Sequence, residues 1–192
     1  MFSVLSFDEV PDPQRTHFLW GMSKDFGIAS FRYGVLHTLN KDLLKMMEGM
    51  QLYSSVQGHI QQIGAKMLAD QDWLEQDYFP KNLQRLEESY ESLYTFFTKF
   101  GCKVRKSMAG LFAWVDFSPL FNDEATVETE KQFFLSLLVD YKIYIPNGTE
   151  FGSKDPGWFR VIFAIKRDHW TEFCERFEKF VQGIYILDTV NL

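Results

Sequence analysis

Ser23 and Lys24, with Arg32 eight positions later, form the most informative spacing in the chain. Gly21, Gly27 and Gly34 bound this stretch, and apolar runs on either side read as strands. A lysine in a glycine-bounded loop at the end of a buried strand can be desolvated, which favours the neutral amine that condenses with an aldehyde to a Schiff base. The Ser23 hydroxyl and the Arg32 fork suit a phosphate, Arg32 bidentately. Lysine–aldehyde chemistry beside a phosphate site is what pyridoxal phosphate requires. Spacing alone nevertheless favours the plainer reading, a surface lysine in a turn and an arginine in a salt bridge.

The elements that must position these residues follow from periodicity and punctuation. Residues 16–20 read as a short buried strand, 21–27 as a loop and 31–37 as a second strand. Asn40 is the N-cap candidate for a helix whose stripe is Leu43, Leu44, Met46 and Met47. A helix is expected around 57–69, and another begins near Asp72. From 80 to 100, Leu83, Leu86, Tyr90, Leu93, Tyr94 and Phe97 recur at helical spacing, and Gly101 ends the helix. Strands at 102–106 and 111–117 flank a turn at 107–110, and a helix covers 127–141. A short strand at 143–145, a loop at 146–156, a strand at 158–165 and a helix at 168–181 complete the chain. Antiparallel hairpin content is expected only in the second half. Two strands with helices on them leave open edges, so the first 80 residues look like the end of a larger sheet.

Composition excludes several classes. Apolar residues make up 46% and charged residues 24%, a globular balance that rules out disorder. Aromatics reach 17%, with 20 Phe, which points to a thick core. The net charge of −6 and pI near 5.2 argue against a nucleic-acid backbone as partner. The densest basic stretch, Lys103, Arg105 and Lys106 with Val104 between, reads as one solvated strand face. No apolar run approaches the roughly 20 residues a spanning helix needs, and the start Met1-Phe2-Ser3-Val4 does not read as a secretory signal. A cytoplasmic protein is expected. Cys102 and Cys174 lie far apart without a CxxC pair, and His17, His37, His59 and His169 are scattered, so no metal site is expected. Asn147-Gly148-Thr149 fits a glycosylation sequon but reads as a turn.

Resemblance adds a function to this frame. Residues Trp20 to Gly34, centred on Ser23-Lys24-Asp25, resemble the lysine segment of class I aminotransferases. The closest form is that of 1-aminocyclopropane-1-carboxylate (ACC) synthases and the animal ACC synthase-like proteins. Asp155-Pro156-Gly157-Trp158-Phe159-Arg160-Val161 is similar to the family's second block, and Gly110-Leu111-Phe112-Ala113-Trp114-Val115-Asp116 to a strand between the two. Ser3-Val4-Leu5-Ser6 and residues 11–17 look like the animal branch.

The resemblance implies a mixed α/β and α+β chain, the C-terminal portion of an aspartate aminotransferase-like fold. Residues 1–84 would be the incomplete end of the large cofactor-binding domain and 85–192 the small α+β domain. It implies pyridoxal 5'-phosphate as cofactor. Lys24 would form the Schiff base and shuttle the Cα proton, Ser23 and Arg32 would hold the phosphate, and Arg160 the carboxylate of an amino-acid substrate. The full-length form would be a homodimer. The chain departs from the family at Gly21, where a second phosphate-binding serine is usual, and more mildly at Ser30. The family's cofactor-stacking ring, the partners of its O3′ and the Asp of its pyridine nitrogen lie upstream of the matched region. Two readings stay open: part of a transaminase or ACC synthase-like lyase, or a truncated non-catalytic remnant or dimerising partner. In either, the 192-residue chain alone is expected to be inactive.

Overall fold

The computed structural model describes residues 3–190, and the chain divides into two units, Met1–Tyr78 and Phe79–Leu192. In the first, β1 (His17–Gly21) and β2 (Gly34–Thr38) pair antiparallel, with His17 opposite Thr38 and Gly21 opposite Gly34. This corrects the expectation that antiparallel pairing is confined to the second half. The intervening residues hold one helical turn, α1 (Met22–Asp25), and one 3-10 turn (Ala29–Phe31). Two single turns do not make the helical crossover a parallel return needs.

Asn40 caps α2 (Lys41–Ser54) as its side-chain type predicts, its Oδ1 accepting from the Leu43 N–H at 2.9 Å. Helix α3 (Gly58–Ala69) follows, then α4 (Gln71–Trp73), capped by Asp70 and continued by a π turn over Leu74–Tyr78. The buried centre of this unit is small: Met22, Phe26 and Leu74, with Trp20, Tyr33, Trp73 and Tyr78 packed around them.

The second unit opens with α5 (Phe79–Thr98). Gly101, at φ +79°, closes it in a Schellman arrangement, Cys102 N–H donating to Phe97 O and Gly101 N–H to Thr98 O. A three-stranded antiparallel sheet follows, ordered β3 (Lys103–Val104), β4 (Phe112–Asp116), β5 (Trp158–Ile162). Helix α6 (Val127–Val139) lies between β4 and β5 in sequence, and α7 (Arg167–Val190) follows β5. One sheet face, with Ala113, Val115, Phe159 and Val161, joins Leu93, Phe97, Phe133, Leu137, Phe177 and Phe180 from the three helices in one core.

The aromatic excess is spent here. Phe97, Phe117, Phe159 and Phe177 are fully buried, with edge-on and tilted ring pairs at 5.1–5.3 Å. Pairing puts Phe112, Trp114 and Asp116 of β4, with Trp158, Arg160 and Ile162 of β5, on the opposite face.

The strand expected at 143–145 is absent. Lys142 turns the chain at φ +58°, and the Ile143 N–H bonds back to Leu137 O. Ile143 and Ile145 are buried in the core without a ladder, and contact with β5 begins only at Pro146 and Asn147. Their alternation reports burial rather than pairing.

Candidate functional site

Three of the four expected site residues belong to the first unit. β1 ends at Gly21, and Ser23 and Lys24 occupy α1 directly after it. The lysine therefore sits on a helical turn, not in the open loop expected from its flanking glycines. Met22 anchors that turn: its side chain is fully buried and its N–H donates to Tyr33 O at 3.1 Å. Arg32 takes a left-handed conformation at φ +50°, ψ +34°, which costs a non-glycine residue about 1 kcal/mol or more. That reversal presents the Tyr33 carbonyl to Met22 and lets Gly34 pair with Gly21. Ser23, Lys24 and Arg32 thus all belong to the turns at one end of the β1–β2 ribbon, where Arg32 Nη1 donates to the Ala29 carbonyl at 3.4 Å.

Ser23 is half-buried, while Lys24 and Arg32 are exposed. The burial expected to desolvate Lys24 is therefore not supplied here. The far side of α1 is tied down by aromatic residues. Trp20 Nε1 donates to Asp25 Oδ2 at 2.6 Å, and Tyr78 Oη donates to the Asp25 carbonyl at 2.9 Å. Phe26 stacks on Tyr78 at 5.1 Å. Burial, with the nearby Asp25 charge adding, holds the Tyr78 phenol above its ordinary pKa.

Gly21 stands where the resemblance expects a second phosphate-binding serine. A Cβ there would come within 3.2 Å of Tyr33 O, a backbone atom held by the Met22 bond. Serine at this position would need the ribbon to give by a few tenths of an ångström.

Arg160 belongs to the second unit, on the outward face of β5. Its guanidinium carbon lies over two rings, 3.9 Å from the Phe151 centroid and 4.6 Å from that of Phe112. Nε is buried and without a hydrogen-bond partner. Ring contact restricts the guanidinium, and its planar fork suits a planar anion. Beside it opens a cavity of about 270 Å³, lined mainly by Phe112, Tyr144, Ile162, Trp170 and Phe173.

Sequence reasoning missed Phe112, Phe151 and Glu130. Glu130 is fully buried in α6, three positions before Phe133 and seven before Leu137, both on the same buried face. Its Oε1 accepts from Asn147 Nδ2 at 2.9 Å and Thr149 Oγ1 at 2.8 Å, and its Oε2 from Gly157 N–H at 2.7 Å. An acid on an apolar helix stripe was the available signal. The sequon asparagine is the N-cap residue of a 3-10 turn, Gly148–Phe151, with its side-chain amide turned onto Glu130. Among the described residues no cluster could hold a metal ion, and no helix is long and apolar enough to cross a membrane.

Residues 3–177 match the family model for aminotransferase class I and II. The 1-aminocyclopropane-1-carboxylate synthase-like protein 1 of Mus musculus is 35% identical over 181 residues, 94% of this chain and 36% of that protein. Its Homo sapiens counterpart is 36% identical over 162 residues, 84% of this chain and 32% of that protein. A probable inactive 1-aminocyclopropane-1-carboxylate synthase-like protein 2 of Mus musculus is 33% identical over 175 residues, 91% of this chain and 30% of that protein. The chain thus spans about a third of the length of these relatives. Among solved structures, an aromatic aminotransferase from Pyrococcus horikoshii OT3 matches with a TM-score of 0.76 at 19% identity, over 95% of this chain and 46% of that one. An aspartate aminotransferase from Thermotoga maritima matches with a TM-score of 0.67 at 19% identity, over 86% and 40%. The mixed helices and sheets have the fold of the C-terminal portion of pyridoxal-phosphate-dependent aminotransferases. The chain belongs to the class I and II aminotransferase family.

Proposed function

We propose that this chain supplies the lysine, part of the phosphate cradle and the carboxylate-binding arginine of a pyridoxal 5'-phosphate protein that transforms amino acids, as a transaminase or an ACC synthase-like lyase. The observation that carries the reading is the β1–β2 register. By pairing Gly21 with Gly34 it sets the backbone of Ser23, Lys24 and Arg32, which carry a hydroxyl, an amine and a guanidinium, at one ribbon end. That donor set fits an aldehyde and a phosphate on one small molecule. When bound, the cofactor acts as an electron sink for the bond broken at the substrate Cα.

The chain's own residues do the rest. Lys24 Nζ would be the amine that holds the cofactor through its aldehyde and, when free of it, the base that takes up and returns the Cα proton. The Ser23 hydroxyl and the Arg32 guanidinium hold the phosphate. Arg160 donates to the substrate carboxylate from its planar fork, which fixes the orientation of the Cα bonds. The reading carries with it a cytoplasmic, homodimeric full-length form.

Gly21 favours a second reading, a non-catalytic protein, since one phosphate hydroxyl of the family pattern is missing; two of the relatives are themselves named probable inactive proteins. The experiment that separates the readings joins this chain to a family-type N-terminal half. The wild-type fusion should bind the cofactor with yellow absorbance, and Lys24→Ala should abolish it. Lys24→Arg should fail as well, because a guanidinium stays protonated and is no nucleophile. A colourless wild-type fusion would favour the non-catalytic reading.

A further inference from the structure

We propose that Glu130 is a positioning residue for Arg160, acting through the loop that carries Phe151. The inference rests on the assignment of Arg160 as the carboxylate-binding group. The loop leaves the core at Pro146, whose carbonyl accepts from the Arg160 N–H at 3.0 Å, and rejoins β5 at Gly157. Between these points Phe151 lays its ring on the guanidinium. Glu130 grips both ends of this loop with one carboxyl group: Asn147 and Thr149 donate to one oxygen at the start, and the Gly157 N–H to the other at the end. The end is closely seated too. Gly157 has φ +98°, and a Cβ there would come within 2.9 Å of Ser118 Cβ.

Glu130 shares its helix face with Phe133 and Leu137, where an apolar residue could fill the volume but would leave the Asn147, Thr149 and Gly157 donors unpaired. What an apolar residue cannot do is hold three donors in fixed relation. Glutamine cannot do it fully either, because its NH2 must face one of the donors the second oxygen now receives.

The test follows the Arg160 Nε–H resonance in 15N-labelled protein, identified by its absence in Arg160→Lys. The rings of Phe112 and Phe151 displace this signal. In Glu130→Gln it should move toward its position in Phe151→Ala, and the affinity for propionate, a bare carboxylate probe, should fall roughly tenfold. Thr149→Val removes one donor and should give a smaller change in the same direction. It also serves if Glu130→Gln does not fold. If folded Glu130→Gln, or Thr149→Val in its place, melts at a lower temperature but leaves the resonance or the propionate affinity unchanged, Glu130 is structural only and the proposal is wrong. If Arg160→Lys binds propionate as well as wild type does, the Arg160 assignment fails, and the resonance alone decides the role of Glu130.

Discussion

The two units put their apolar side chains to different use. In Phe79–Leu192, one face of a three-stranded sheet and three helices close over a phenylalanine core. In Met1–Tyr78, the β1–β2 ribbon carries apolar residues on both faces, Leu19 and Leu36 on one and Trp20 and Val35 on the other. Leu19 is 77% exposed, and Val35 is also exposed. Strands apolar on both faces are the pattern of a sheet layered between helices, and a lone two-stranded ribbon is marginal in water. The site residues share this contrast. Arg160 is packed against two rings, whereas Lys24 and Arg32 stand exposed at the ribbon end. A closed core can fix a binding group by itself. An open ribbon fixes only the backbone that presents one.

The largest expected effect tests that contrast in stability. Phe159→Ala empties the centre of the closed core and should cost about 3–5 kcal/mol in denaturant unfolding. Met22 is just as fully buried, but its small cluster can collapse around a cavity, so Met22→Ala should cost about 2 kcal/mol, the low end for such changes. Equal costs would mean that the first unit is as closed as the second.

The next effect tests the contrast in site residues, in the fused full-length form. Arg160→Lys keeps the charge but loses the fork. Losing a charge-assisted bond of about 1.5–3 kcal/mol should lower kcat/KM roughly 10- to 150-fold. Arg32→Lys should instead weaken cofactor retention, which excess pyridoxal phosphate restores by mass action. If Arg160→Lys changes cofactor affinity alone, the carboxylate assignment is wrong.

How much of this was legible in the sequence depended on whether the signal was local. The Asn40 cap, the Gly101 stop and the helix of 80–100 depend on neighbours along the chain and stand in the structure, but of the expected stripe Leu83 and Tyr94 are exposed, while Phe96, outside it, is buried. The Lys24 segment and the Arg160 block were legible as motifs, though a motif shows neither that Lys24 sits on a helical turn nor that Phe151 covers Arg160. The 143–145 strand failed because alternation marks two buried isoleucines whether or not a partner strand is present. Glu130 was overlooked because its three partners come from distant residues.

A smaller effect concerns the thiols of the closed unit. Burial, with the Asp116 charge adding, pushes Cys102 up to about 12. Cys174 is pushed up to about 11, mainly by burial and further by Glu178, against a lowering by Lys99. Both are protonated near neutral pH, so alkylation of native protein should be slow, slower at Cys102, and should become fast and equal in denaturant. The folded pKa values lie above the ordinary 9.0. The unfolded chain therefore loses these protons first, and the contribution to stability should be complete below about pH 9 and lost as pH rises toward 11 and 12. Rapid alkylation of native Cys102 at neutral pH would show that the core opens readily.

The most direct measurement is borohydride reduction of the fused protein with pyridoxal phosphate, followed by peptide mapping. One stable label is expected, on the peptide that contains Lys24, and none in Lys24→Ala. A label that persists in Lys24→Ala, or that maps to another lysine in the wild type, would contradict it.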